Sequence, residues 1–197
     1  IMRLNIKNLT VAAALTLSLS SCATILGGNK STAEASGDGV GPATISDGSQ
    51  VLSNDKFEAL TIGGSFTGSR LTVMKNMNIE SDAILTKVTV KDDSVVGGNL
   101  ISNDSTYKDT LKVGGNLISN DSYCAKGIEF NGTQLELNEG SKVIGNIIST
   151  SRKQSTIVIN HSTVKGDIGF AESNGLLVLK NKATFKGQLI NGTMKQE

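Results

Sequence analysis

From about residue 45 onward the apolar positions come in short alternating bursts. Leu71/Val73, Val88/Val90, Leu135/Leu137, Ile157/Ile159 and Leu177/Leu179 each enclose a single residue. That is the spacing of strands with one buried face. Turn-forming residues follow, as in Lys91-Asp92-Asp93-Ser94, Asn138-Glu139-Gly140-Ser141, Asn160-His161-Ser162 and Asn181-Lys182-Ala183. No helical periodicity of ten residues interrupts the pattern, so the expected fold class is all-β.

The bursts are organised by a repeated unit: an apolar residue, any residue, Gly, a small polar residue, an apolar residue. It reads Ile62-Gly63-Gly64-Ser65-Phe66, then Val96-Gly97-Gly98-Asn99-Leu100 and Val113-Gly114-Gly115-Asn116-Leu117. It returns as Val143-Ile144-Gly145-Asn146-Ile147, Val164-Lys165-Gly166-Asp167-Ile168 and Phe185-Lys186-Gly187-Gln188-Leu189. A worn copy, Ile79-Glu80-Ser81-Asp82-Ala83, falls midway between the first two, and GGNLISNDS stands at both 97–105 and 114–122. Identical residues recurring at a period near 20 point to stacked coils instead of a sandwich, whose strands occupy unlike environments. The expected architecture is a single-stranded parallel β-helix, a β-solenoid with coils of about 17–21 residues. Coils of that length without strict hexapeptides point to right-handed winding.

One structural ladder is expected from the motif: Gly98 and Asn99, Gly115 and Asn116, Gly145 and Asn146, Gly166 and Asp167, Gly187 and Gln188. Like amides stacked one coil apart can hydrogen-bond along the axis. Between Val113 and Val143 the spacing is too long for one coil. A loop leaving the solenoid at 122–133 is expected there, with Tyr123 and Phe130 as a contact patch.

The amino-terminal residues differ from the rest. Residues 9–19 are an uncharged apolar run after Arg3 and Lys7, shorter than a bilayer span. The run ends in Leu19-Ser20-Ser21-Cys22, which resembles the lipobox of bacterial lipoprotein precursors. The resemblance implies cleavage before Cys22, lipid on that cysteine and, with Ala23 next, placement in the outer membrane of the cell envelope. The domain organisation expected is thus a leader over 1–21, a Gly/Ser/Ala tether over 22–44, a solenoid over 45–193 and a tail over 194–197.

Setting aside Arg3 and Lys7 leaves 17 basic against 18 acidic residues, which excludes an electrostatic footprint for nucleic acid. Ser141-Lys142-Val143-Ile144-Gly145-Asn146-Ile147 and Thr163-Val164-Lys165-Gly166-Asp167-Ile168 resemble the repeats of bactofilins, polymer-forming β-helical proteins. They are also similar to the passenger repeats of autotransporter adhesins. The first resemblance implies end-to-end polymerisation, although bactofilins usually lie on the cytoplasmic face and this chain carries an export signal.

Catalytic chemistry finds little to work with. His161 is the only histidine, in a turn position shared with Asp93, Glu139 and Asn181, and no GxSxG, HExxH or P-loop spacing occurs. No enzyme activity, cofactor or transition-metal site is expected. Asp104 and Asp121, one repeat apart, are the candidates for a Ca²⁺ ion relieving their repulsion. The function expected is a non-enzymatic, lipid-anchored envelope protein serving as scaffold or adhesive surface. Its partners would be the membrane, further copies of itself, and an envelope protein or glycan. The alternative is a carbohydrate-binding or carbohydrate-cleaving β-helix, Ca²⁺-dependent in one form.

Overall fold

The computed structural model describes residues 41–46 and 48–197. The expected leader, Leu19, Ser20, Ser21, Cys22 and most of the tether lie outside those residues. Within them the chain is all-β, without a helix, and winds as a β-solenoid with three parallel faces of nine, nine and eight strands. The first face runs from Ala43–Ile45 to Leu189–Ile190, the second from Gln50–Ser53 to Gly192–Gln196, and the third from Lys56–Phe57 to Thr184–Phe185. Every strand pairs in parallel with the equivalent strand of the next coil.

The register stacks like on like. On the first face Ile62, Ile79, Val96, Val113, Phe130, Ser149 and Phe170 form one inward column. On the second, Leu100, Leu117, Leu135, Ile157 and Leu177 form another. These side chains are buried, with most less than 2% exposed. Coils of a parallel solenoid lie about 4.8 Å apart, so every core residue touches its own counterparts above and below.

The stack exceeds its expected limits at both ends. Ala43 and Thr44, assigned to the tether, belong to the strand Ala43–Ile45 and pair with Leu60 and Thr61. Met194, assigned to the tail, lies in the strand Gly192–Gln196 and stacks on Leu177.

Residues 122–133 are not a loop. Tyr123–Cys124 is a third-face strand between Thr106–Tyr107 and Lys142–Val143, and Gly127–Phe130 a first-face strand between Thr110–Val113 and Asn146–Ser149. The spacing from Val113 to Val143 is long because the two valines occupy different faces: Val113 pairs with Phe130, and Val143 with Cys124. Tyr123 and Phe130 form no common patch. Phe130 is 1% exposed and points into the core. Tyr123 is half-buried on the outside, with Lys108 Nζ 5.6 Å from its ring centre.

The interior carries a polar seam. Ser105, Ser122 and Ser141 are buried, and their hydroxyls accept the backbone N–H of Val88, Ser105 and Ser122 one coil below. Ser102 Oγ lies 3.0 Å from the Tyr107 hydroxyl and 3.2 Å from Ser122 Oγ. Ser94 differs: it replaces an apolar residue between Met77 and Leu111, and its buried Oγ has no partner. An unsatisfied buried hydroxyl costs about 1–3 kcal/mol. Ser94→Ala is therefore expected to stabilise the domain by about 1 kcal/mol, read as a higher denaturation midpoint.

Tyr107 and Cys124 stack as neighbours in the third-face column, Tyr107 0% and Cys124 1% exposed. Burial pushes the Cys124 thiol up to about 12 and raises the Tyr107 phenol, the Ser102 hydrogen bond partly opposing the latter. Both groups ionise more readily in the unfolded chain, which then binds fewer protons than the folded one. Stability is thus whole below about pH 9 and falls between pH 9 and 12. Denaturation midpoints across this range should fall steadily, and Cys124 should react with a thiol reagent only as the chain unfolds.

Candidate functional site

Each coil turns three corners, and the polar ladders sit there. Between the first and second faces a short turn such as Gly97-Gly98-Asn99 links Ser94–Val96 to Leu100–Asn103. A Cβ on Gly114 would stand 2.1 Å from the Gly97 carbonyl oxygen, so glycine is required where backbones approach this closely. The following side chain caps the coil above. Asp82 Oδ1 accepts the Asn99 backbone N–H at 2.6 Å, and Asn99 Oδ1 accepts that of Asn116 at 2.9 Å. Asn116 Oδ1 accepts the N–H groups of Thr133 and Gln134 at 2.9 and 3.0 Å.

The same device recurs at another corner, between the third and first faces. There Asn146 Oδ1 accepts the Asp167 N–H at 2.9 Å, and Asp167 Oδ1 that of Gln188 at 2.8 Å. Gly187 stands on the Gly166 carbonyl oxygen, 2.1 Å from where its Cβ would be. The single expected ladder is therefore two. Gly98, Asn99, Gly115 and Asn116 belong to one corner, and Gly145, Asn146, Gly166, Asp167, Gly187 and Gln188 to the other. Both are mainly ladders of side chains capping backbone N–H groups. The side-chain-to-side-chain bonding expected is found at the first corner, where Asn99 Nδ2 donates to Asp82 Oδ1 at 3.1 Å and Ser65 Oγ to Ser81 Oγ at 3.4 Å.

Side-chain stacking also occurs at the corner between the second and third faces. The Nδ2 groups of Asn120, Asn138, Asn160 and Asn181 donate to the Oδ1 of Asn103, Asn120, Asn138 and Asn160, at 2.7 to 3.2 Å. The residue after the second-face strand turns the corner in the left-handed region: Asn54, Arg70, Lys87, Asp104, Asp121, Glu139, His161 and Asn181 all have φ between 48° and 57°. Asn181 reaches Asn160 from this position because Lys180 is the residue stacked on Asn160. This ladder was legible in the recurring Asn-Asp-Ser, Asn-Glu-Gly-Ser and Asn-His-Ser turns. His161 shares its position with Glu139 and Asn181, as expected, but with Lys87 in place of Asp93, which lies in the turn preceding the first-face strand Ser94–Val96. Asp104 and Asp121 are exposed members of the same column. Among the described residues no group of three or more His, Cys, Asp or Glu gathers to hold a metal ion.

The loop that does leave the wall lies at 150–155, joining Asn146–Ser149 to Thr156–Asn160 at the corner where each of the five preceding coils uses three residues. Its six consecutive polar residues, Thr-Ser-Arg-Lys-Gln-Ser, were its signal. The stem is fixed. Ser149 Oγ lies 2.8 Å from Ser155 Oγ in the core, Thr150 N–H donates to the Phe130 carbonyl, and buried Ser151 Oγ accepts the Lys153 N–H. Arg152, Lys153 and Gln154 project as exposed residues. Beneath them is a groove of about 650 Å³, floored by Asn99, Gly115, Asn116 and Asn131-Gly132-Thr133 and walled by Thr150 to Lys153. No carboxylate lines it.

On the first face a smaller notch holds Ile148 and Ile190, 47% and 48% exposed, on either side of Gly169. Among the described residues no helix is long and apolar enough to cross a membrane. Comparison with family models, curated proteins and solved structures finds no match for this chain.

Proposed function

We propose that the protein is a non-enzymatic cell-envelope lipoprotein, anchored through Cys22, whose solenoid serves as a stiff scaffold or adhesive surface and associates end to end. The observation that carries the self-association is the open edge of the last coil. Thr184–Phe185, Leu189–Ile190 and Gly192–Gln196 each have a strand neighbour on one side only, among the described residues. Met194 is 57% exposed there, while Leu177 and Ile157, its counterparts in the two preceding coils of the second face, are buried. A row of unpaired N–H and C=O groups beside apolar side chains is a template for another copy's strands. At the opposite end Val51, 75% exposed, lies in Gln50–Ser53, which pairs with Phe66–Ser69. The lipobox resemblance and the absence of catalytic sequence motifs support the remainder of the reading.

Light scattering tests the association, and palmitate labelling tests the anchor. The detergent-solubilised chain should form multimers that grow with concentration, and Met194→Pro, which removes an N–H on the open side of the last strand, should return it to monomer. A monomer at every concentration would refute association. Palmitate should enter the wild-type chain in a bacterium and not Cys22→Ala; equal labelling of both would refute the anchor.

A further inference from the structure

The groove under the 150–155 loop is a ligand site in its own right, and we infer that it binds an acidic oligosaccharide, one bearing uronate carboxylates. It spans four successive coils, from Asn99 through Asn116 and Thr133 to Arg152, about 14 Å at the usual spacing of stacked strands. Along that length it presents an array of amides and hydroxyls. Asn116 commits its Oδ1 to the Thr133 and Gln134 N–H groups, which leaves its Nδ2 hydrogens for a ligand. Glycine at 115 and 132 lets successive coils of the floor close on one another: a Cβ at Gly132 would lie 2.4 Å from both Asn116 Oδ1 and the Gly115 carbonyl oxygen of the coil before.

The charge is one-sided. Arg152 and Lys153 overhang the floor without a facing acid, so a carboxylated ligand gains two ion pairs there, that with Arg152 capable of being bidentate. Other ligand classes fit less well. The lining has no aromatic ring on which nucleobases or neutral sugar rings could stack. A peptide could not add as a strand, because the corner's backbone is already bonded coil to coil: Gly115 N–H to the Gly98 carbonyl, and Asn131 N–H to that of Val113. What remains is a hydroxyl-rich, negatively charged chain that follows the solenoid axis. The loop stem is anchored in the core by Ser149 and Ser155, which fixes both ends of the segment that carries the two cations. This inference depends on neither the lipid anchor nor self-association.

Titration calorimetry of the full chain is the test, with a hexameric uronate, its neutral hexasaccharide counterpart and a single-stranded oligonucleotide as probes. The uronate should bind, and the neutral sugar should bind at least about tenfold more weakly, the loss two ion pairs in a groove represent. Arg152→Ala with Lys153→Ala should weaken uronate binding by at least about tenfold, and Lys91→Ala with Lys165→Ala, removing equal charge elsewhere, should leave it unchanged. All four side chains are exposed, so the thermal midpoints of both variants should match wild type. No uronate binding, equal loss in the two double variants, or an oligonucleotide binding as tightly would each overturn the assignment.

Discussion

Gly145→Ala is expected to break the stack in its middle. A Cβ at this position would stand 1.3 Å from the Lys126 carbonyl oxygen and 2.2 Å from its carbon, both backbone atoms of the coil below. Relief requires the two coils to separate. That disrupts the neighbouring first- and third-face pairings, Gly127–Phe130 with Asn146–Ser149 and Tyr123–Cys124 with Lys142–Val143. Overpacking of this kind costs about 3 kcal/mol or more. A solenoid is held by contacts between adjacent coils, so the damage should also divide its unfolding into two transitions, one for each side of the break. Gly169→Ala is the control. Nothing lies within 4 Å of its added Cβ, and it should change stability by less than about 1 kcal/mol. Calorimetric scans of both variants decide the matter. A single unshifted transition for Gly145→Ala would contradict the coil contact.

Phe130→Ala should destabilise the domain by about 3–5 kcal/mol, the cost of emptying a buried aromatic site. Phe130 lies between Val113 below and Ser149 above, and Phe170 follows one coil further on. The small Ser149 makes room for the two rings, and its hydroxyl also ties down the 150–155 loop through Ser155. Loss of Phe130 therefore should loosen the groove as well as the core. Chemical denaturation measures the first effect. Had Phe130 been part of a surface patch, its removal would cost no more than about 0.5 kcal/mol.

The error over Phe130 shows how far the fold could be read in advance. The solenoid was legible because its core columns repeat residue types: Ile62, Ile79, Val96 and Val113 recur every 17 residues and stack as the spacing implied. Beyond Val113 the same reading slipped by a face. The Gly-Asn corner before Leu100 and Leu117 and the one before Ile147 obey the same local physics, glycine over a carbonyl and an amide over an N–H. Their sequences are therefore alike although their places in the coil differ. Only pairing across coils, Val143 with Cys124 and not with Val113, separates them. Coil length drifts at that point too, from 17 residues between Leu100 and Leu117 to 22 between Leu135 and Ile157. The groove was harder to anticipate, because it joins Asn99 and Asn116 to Arg152, residues that a constant period would not bring together.

The most direct measurement is register by cross-linking, in a background with Cys22 and Cys124 replaced. Lys112 and Glu129 face one another on adjacent coils, with Lys112 Nζ 3.5 Å from Glu129 Oε2. Aligning the two Gly-Asn motifs would instead set Lys112 beside Lys142, which here pairs with Tyr123 and Thr163. The structure predicts that Lys112→Cys with Glu129→Cys closes a disulfide on mild oxidation, whereas Lys112→Cys with Lys142→Cys leaves two free thiols. The reverse outcome would contradict the stacking on which the two ladders, the groove and the open end all rest.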